Sequence, residues 1–298
     1  MTVDIAVSAW SFHDALYAGR MTQFDLPEIC ARLGFDRIEF NDLFWPPPRG
    51  SRVRYLPWRL RGWFTHRDVW PAFQRRWLAS RQTRRHLAAR CRAAGIRCVA
   101  LTLNSDFTGA SPAQRRAAVA HVKAGLAAAR TLGAPILRVT SDRREKSDDL
   151  GAGAVERVIG GLQRAVVVAR AAGIRLALEN HWGLTTEPEV LWHMVRAVDS
   201  PWLGVCLDLG NFPPEQRQAG VEMLAPYAIH VHTKAQAFDA GGEETRIDYG
   251  AALSVLQRAG YAGSLVIEYE GDGDPAAGVL RTRDLIGRYW AMEIKARM

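Results

Sequence analysis

The chain has 298 residues, 48% of them hydrophobic and 23% charged, enough apolar material for one large barrel or two average domains. No apolar run approaches the roughly 18–20 residues that a membrane span requires. The opening MTVDIAVSAW carries no signal-peptide pattern, so a cytoplasmic protein with no membrane partner is expected. The formal charge of +8 is local: residues 45–92 hold thirteen arginines and five of the ten tryptophans, and elsewhere the charges nearly balance. Arginine beside tryptophan binds phosphate and stacks on bases, but it equally builds a lid or a subunit contact. Net charge alone speaks only to association, so a lid or interface is the preferred reading and a nucleic-acid partner is disfavoured.

In chain order, VDIAVSAW (3–10) reads as a strand, Pro27–Leu33 as a helix and FDRIEFN (35–41) as the second strand. After the basic stretch come a helix over Gln74–Ala94, strand IRCVALTLN (96–104), helix Ser111–Leu132 and strand APILRVTS (134–141). Helix Val155–Ala172 leads to strand IRLALEN (174–180), and helix Glu187–Val198 to strand WLGVCLD (202–208). The last elements are strand AIHVHTK (228–234), helix Tyr249–Ala259, strand SLVIEYE (264–270) and helix Pro275–Arg288. Gly34, Gly95, Gly133, Gly173 and Gly260 stand where helices stop, and Ser111 with Pro112 reads as a cap and first-turn proline. RAAGIR occurs twice, at Arg92–Arg97 and Arg170–Arg175, each time closing a helix and opening a strand. Cys30, Cys91, Cys98 and Cys206 show no CxxC spacing and read as buried free thiols.

Eight strand-like runs alternating with helices predict a (β/α)8 TIM barrel, class α/β, as one domain over 1–298 with an Arg/Trp-rich insertion at about 45–80. A doubly wound open sheet is the competitor, but no GxGxxG follows any strand. Barrel active sites lie at the C-terminal strand ends. Those ends supply Glu179 from strand five, Asp208 from strand six, His232 from strand seven and Glu268 from strand eight. Three carboxylates and an imidazole suit one six-coordinate divalent ion, Mn²⁺, Mg²⁺ or Co²⁺, with Zn²⁺ as an alternative. A period of two turns His230, His232 and Lys234 to one face, and likewise Glu268 and Glu270. Spacing therefore leaves His232 against His230, and Glu268 against Glu270, open.

The motifs LALENH (176–181), VCLDLGNF (205–212), IHVHTK (229–234) and YAGSLVIEYEG (261–271) give the chain a family resemblance, with LGFDRIEF (33–40) and LGAPILRV (132–139) as weaker matches. It resembles the sugar phosphate isomerase/epimerase family of xylose isomerase-like TIM barrels, which includes D-tagatose 3-epimerase and inosose dehydratase. The resemblance implies a metal held by Glu179, Asp208, His232 and Glu268, and favours His232 and Glu268 over their neighbours. Two positions depart from the family's pattern: Asn211 stands where many epimerases have a histidine three residues after the strand-six aspartate, and TKAQAF, with Lys234, stands where the ketose 3-epimerases carry an arginine soon after the metal histidine.

The expected chemistry is proton transfer through a cis-enediolate, with Glu179 and Glu268 as the catalytic pair. His181, Lys234, Asn211 and Arg138 are the expected substrate anchors, Glu39 a group one layer behind the ligands, and Trp10 and Phe12 an apolar wall. The partner is a small-molecule sugar or sugar derivative, and the assembly a homo-oligomer, dimer or tetramer. The same enediolate can instead expel a leaving group, which makes a lyase or dehydratase acting on a keto-sugar or 3-keto-glycoside the main alternative. An endonuclease IV-like nuclease needs more strand-end histidines than this chain has, and a non-catalytic partner subunit would use the insertion for docking.

Overall fold

The computed structural model describes residues 3–45, 80–143 and 151–296. The expected insertion lies, but for its edges, outside the described residues. Eight strands form a closed, all-parallel barrel in sequence order: β1 (Ile5–Ser8), β2 (Arg37–Asn41), β3 (Arg97–Leu103), β4 (Ile136–Val139), β5 (Arg175–Glu179), β6 (Leu203–Asp208), β7 (Ala228–Ala235) and β8 (Leu265–Tyr269). Closure is made by β8 pairing with β1, Leu265 opposite Ile5. Nine α-helices are seen among the described residues: α1 (His13–Tyr17), α2 (Leu26–Arg32), α3 (Arg81–Ala93), α4 (Pro112–Leu132), α5 (Ala154–Ala172), α6 (Pro188–Val198), α7 (Pro214–Leu224), α8 (Tyr249–Arg258) and α9 (Pro275–Ala296).

Every expected strand is present within two residues of its expected ends. β1 stops early because Ser8 turns the chain into a 3-10 segment, its side chain accepting the Trp10 N–H. Helix α7 was not expected: PEQRQAGVEML has little apolar periodicity and a glycine inside it. Gly220 there is a packing requirement, since a Cβ would lie 2.8 Å from the Phe212 ring. Helix α9 runs past the expected Arg288 to Ala296. The helix stops behave as read, with Gly133 and Gly173 in the left-handed conformation at φ of 75° and 69°.

Alternation along each strand divides the interior in two. Leu176 and Leu178, Val205 and Leu207, and Leu265 and Ile267 face the helices and join the main apolar core with Val7, Ile38 and Phe40. Each such side chain, fully buried, contributes roughly 1.5–3 kcal/mol. The alternate positions face the barrel axis and are largely polar: Ser8, Glu39, Arg138, Glu179, Asp208, His230 and His232 are all buried. The outer layer holds the barrel closed. The inner layer is therefore free to carry chemistry.

Candidate functional site

Strand register decides which inner residues meet at the C-terminal mouth. Asp208 sits opposite His232 across β6 and β7, and Lys234 opposite Glu268 across β7 and β8. Glu179 is the last residue of β5, level with Cys206. Nδ1 of His232 consequently lies 2.8 Å from Glu179 Oε1, 3.8 Å from Glu268 Oε1 and 3.9 Å from Asp208 Oδ2. The four residues named from the sequence are thus brought together. His230 lies one layer deeper, its Nε2 2.6 Å from Glu39 Oε2. Glu270 turns aside to accept from Trp10 Nε1, Lys234 Nζ and Gln236 Nε2.

The end of β6 is clamped by Asn180, whose amide exchanges two hydrogen bonds with the Asp208 backbone at 2.7 and 2.8 Å. Asp208 Oδ1 accepts the Gly210 and Asn211 N–H groups, which leaves Oδ2 directed into the cluster. That oxygen, both oxygens of Glu179 and Nδ1 of His232 are buried without an aligned hydrogen bond. Buried acceptors are almost always paired. Two carboxylates and an imidazole nitrogen converging on one spot are the donor set of a hard divalent cation, and their ligand atoms lie within 4.8 Å of one another. The residues fit such an ion.

Two cations balance the carboxylates. Arg138 Nε approaches Glu179 Oε2 at 2.9 Å. Lys234 Nζ lies 2.8 Å from Asn211 Oδ1, 3.1 Å from Glu270 and 3.4 Å from both Asp208 and Glu268. Gly210 makes room for it, since a Cβ there would come 2.9 Å from Lys234 Cδ. Burial opposes charge on Glu179, but Arg138, His181 and His232 outweigh it and hold the carboxyl at about 2. Burial pushes Glu268 up to about 8, with Asp208 and Glu270 reinforcing it against His232 and Lys234. The two glutamates are thereby split into one ionised and one proton-bearing group near neutrality. Burial also lowers His181 to about 4, keeping it neutral. Its Nδ1 accepts the Trp182 N–H, so the ring proton sits on Nε2, 3.5 Å from Glu179 Oε2.

Above the cluster is a cavity of about 330 Å³. All four expected anchors, Arg138, His181, Asn211 and Lys234, line it, as do Glu268 and Trp10; Phe12 is buried in the core instead. The structure adds Asn41, Asn104, Trp182 and Thr186 to its walls. Asn41 and Asn104 end apolar strands, the same signal that found Glu179 and Asp208. Trp182 had no such signal beyond its place beside His181.

Residues 27–289 match the family model of the xylose isomerase-like TIM barrel. The chain belongs to that family. Solved structures with the family's fold include a D-tagatose 3-epimerase-like protein, 16% identical, with a TM-score of 0.72 over 99% of this chain and 100% of that one. An L-ribulose 3-epimerase is 17% identical, with a TM-score of 0.71 over 99% of this chain and 97% of that one. A probable 3-DHS dehydratase from Bacillus anthracis is 13% identical, with a TM-score of 0.62 over 95% and 98%. At such identities the likeness is one of fold. No curated protein sequence matches closely enough to count as a relative. Among the described residues, no helix is long and apolar enough to cross a membrane.

Proposed function

We propose that this chain is a divalent-metal-dependent isomerase or epimerase that moves a proton at the carbon beside the carbonyl of a sugar or sugar derivative. The observation that carries the reading is the set of open acceptor atoms on Glu179, Asp208 and His232 beneath a polar cavity. Glu179, Asp208, His232 and Glu268 would hold the ion, with Mn²⁺ first and Mg²⁺, Co²⁺ or Zn²⁺ as alternatives. When bound, it supplies positive charge that polarises the substrate carbonyl and stabilises the anion as the proton leaves. The chain's own groups supply the rest. Glu179 and Glu268 are the carboxylates that exchange the proton: Glu179 takes it on a carboxylate oxygen, and a proton is returned from the side of Glu268. Return to the opposite face of the same carbon gives epimerisation; return to the adjacent carbon gives aldose–ketose isomerisation. Asn41, Asn104 and Asn211 present amides to substrate hydroxyls, and Trp182 covers the entrance. A cytoplasmic homo-oligomer built from single-domain chains completes the reading.

One observation favours a second outcome from the same site. A carboxylate that has taken the substrate's proton can also hand it to a departing hydroxyl, and a probable dehydratase stands among the proteins of this fold. With a leaving group β to the carbanion, the enzyme would be a lyase acting on a keto-sugar or 3-keto-glycoside.

The test is a screen of ketoses, aldoses and keto-sugars in deuterated water, followed by NMR with and without Mn²⁺. Metal-dependent deuterium incorporation without loss of a group is the expected result. An unsaturated product would turn the assignment to the lyase. Absence of exchange across the panel would remove proton transfer as the chemistry.

A further inference from the structure

Below the mouth, Glu39 of β2 is completely buried and accepts three hydrogen bonds. Ser8 Oγ donates to Oε1 at 2.9 Å, and the Nε2 atoms of His230 and His232 approach Oε2 at 2.6 and 3.1 Å. An ionised carboxylate only accepts, so each ring nitrogen facing Glu39 bears a proton. For His232 this has a consequence at the opposite edge of the ring. Nε2 is thereby kept as the donor to Glu39, and Nδ1, the atom that faces Glu179, Asp208 and Glu268, is the ring nitrogen left to exchange its proton for an ion.

We propose that Glu39 is the positioning residue of the metal centre: it fixes His232 as an Nδ1 ligand and strengthens that ligand through its own buried charge. This rests on the metal-dependent reading above. His230 is the companion donor that holds Oε2 in place, and Ser8 holds Oε1, so the carboxylate cannot rotate away from His232. The arrangement also explains how one strand carries two inward histidines with different work. His232 reaches the mouth, whereas His230, two residues earlier, reaches only Glu39. A carboxylate behind a ligating histidine raises the ring's basicity and fixes its orientation, and loss of such a partner weakens metal affinity by about 10–100-fold.

Glu39→Gln separates this role from plain packing. The glutamine oxygen can accept from both histidines, and its amide can donate to Ser8 Oγ, so shape and hydrogen bonds survive while the charge is lost. Calorimetric titration of the chelator-stripped protein with Mn²⁺ and Co²⁺ should show about 10–100-fold weaker binding in Glu39→Gln, with the metal-free melting temperature close to wild type. In ¹⁵N-histidine-labelled wild type, NMR should show both His230 and His232 protonated on Nε2. Unchanged affinity in Glu39→Gln, with wild type binding normally, overturns this inference alone. A wild-type protein that binds neither ion overturns the metal-dependent reading and this inference with it. Should Glu39→Gln not fold, the wild-type spectrum decides, and a His232 signal with no proton on Nε2 refutes the assignment.

Discussion

The two halves of the barrel mouth handle polar groups in opposite ways. Beyond β3 and β4, Ser105 and Thr140 exchange four hydrogen bonds of 2.6–3.0 Å through their hydroxyls and backbones. Asp142 accepts from Ser141 Oγ and the Leu184 N–H. The Ser105–Thr140 pair is closed on itself, and its polar atoms stabilise the rim. At the ends of β5 to β8 the side chains are as deeply buried, yet Glu179, Asp208 and His232 keep atoms with no aligned partner. Closed polar clusters need nothing further. Open ones, buried at a strand-end mouth, are costly unless something completes them, and that difference is the ground for assigning the proposed chemistry to the second half of the barrel.

The most severe way to break the contrast is to spoil the open half. Glu179→Gln keeps an acceptor for Arg138 but removes both the charge and the proton acceptor. Turnover should fall by about 10³-fold, within the range set by losing a general base. Circular dichroism and the melting curve should stay close to wild type. A variant with near-normal turnover would show that another group takes the proton.

Chelation sharpens the contrast. An acid whose folded pKa is raised prefers its protonated form in the fold, so its contribution to stability is present below the ordinary value of 4.5 and disappears as pH climbs through about 8. Asp208, raised chiefly by burial, acts in the same direction. Glu179, held at about 2, changes charge only in the acid range and does not compete. The melting temperature of chelator-treated protein should therefore fall between about pH 5 and pH 8, and saturating Mn²⁺ should flatten that slope by replacing the protons. A flat profile without metal would mean that Lys234 and Arg138 alone satisfy the cluster.

The closed half should respond in stability rather than in rate. Thr140→Val preserves shape but strips the partner from the buried Ser105 N–H. The expected cost is about 1–3 kcal/mol, read from urea unfolding, with kcat within a few-fold of wild type. A large loss of kcat here would show that the two halves are coupled.

How much of this was visible beforehand follows from the physics of parallel strands. Buried on both faces, they read as apolar runs, and a polar residue ending such a run stands out, which is why Glu179, Asp208, His232 and Glu268 could be named. Whether His230 or His232 meets the carboxylates could not be read from alternation, because both point inward. The decision belongs to the level of β7 against β2 and β6, where Glu39 meets Nε2 and Asp208 sits opposite His232. Arg138 was read as an anchor for substrate, but its contact with Glu179 depends on the stagger between β4 and β5. Lys234 was read as an anchor for substrate, and it does line the cavity. Its neighbours show that it also carries the balancing charge for three carboxylates, a fact that exists only once the barrel closes.

The mildest test lies far from either half. Ser111 caps α4, its Oγ accepting the Gln114 N–H at 3.2 Å while Gln114 Oε1 accepts the Ser111 N–H at 2.9 Å. Both residues are exposed, so water replaces much of what Ser111→Ala removes. The cap should be worth about 1 kcal/mol. In a domain of this size that corresponds to a melting temperature lower by about 2–4 °C. Because the Ser111 cap is made within the first turn of α4 and touches no residue of the mouth, turnover and Mn²⁺ affinity should not change. A rate that moved with this cap would mean that the barrel wall transmits strain to the open cluster, and the separation between a stabilising half and a working half would have to be redrawn.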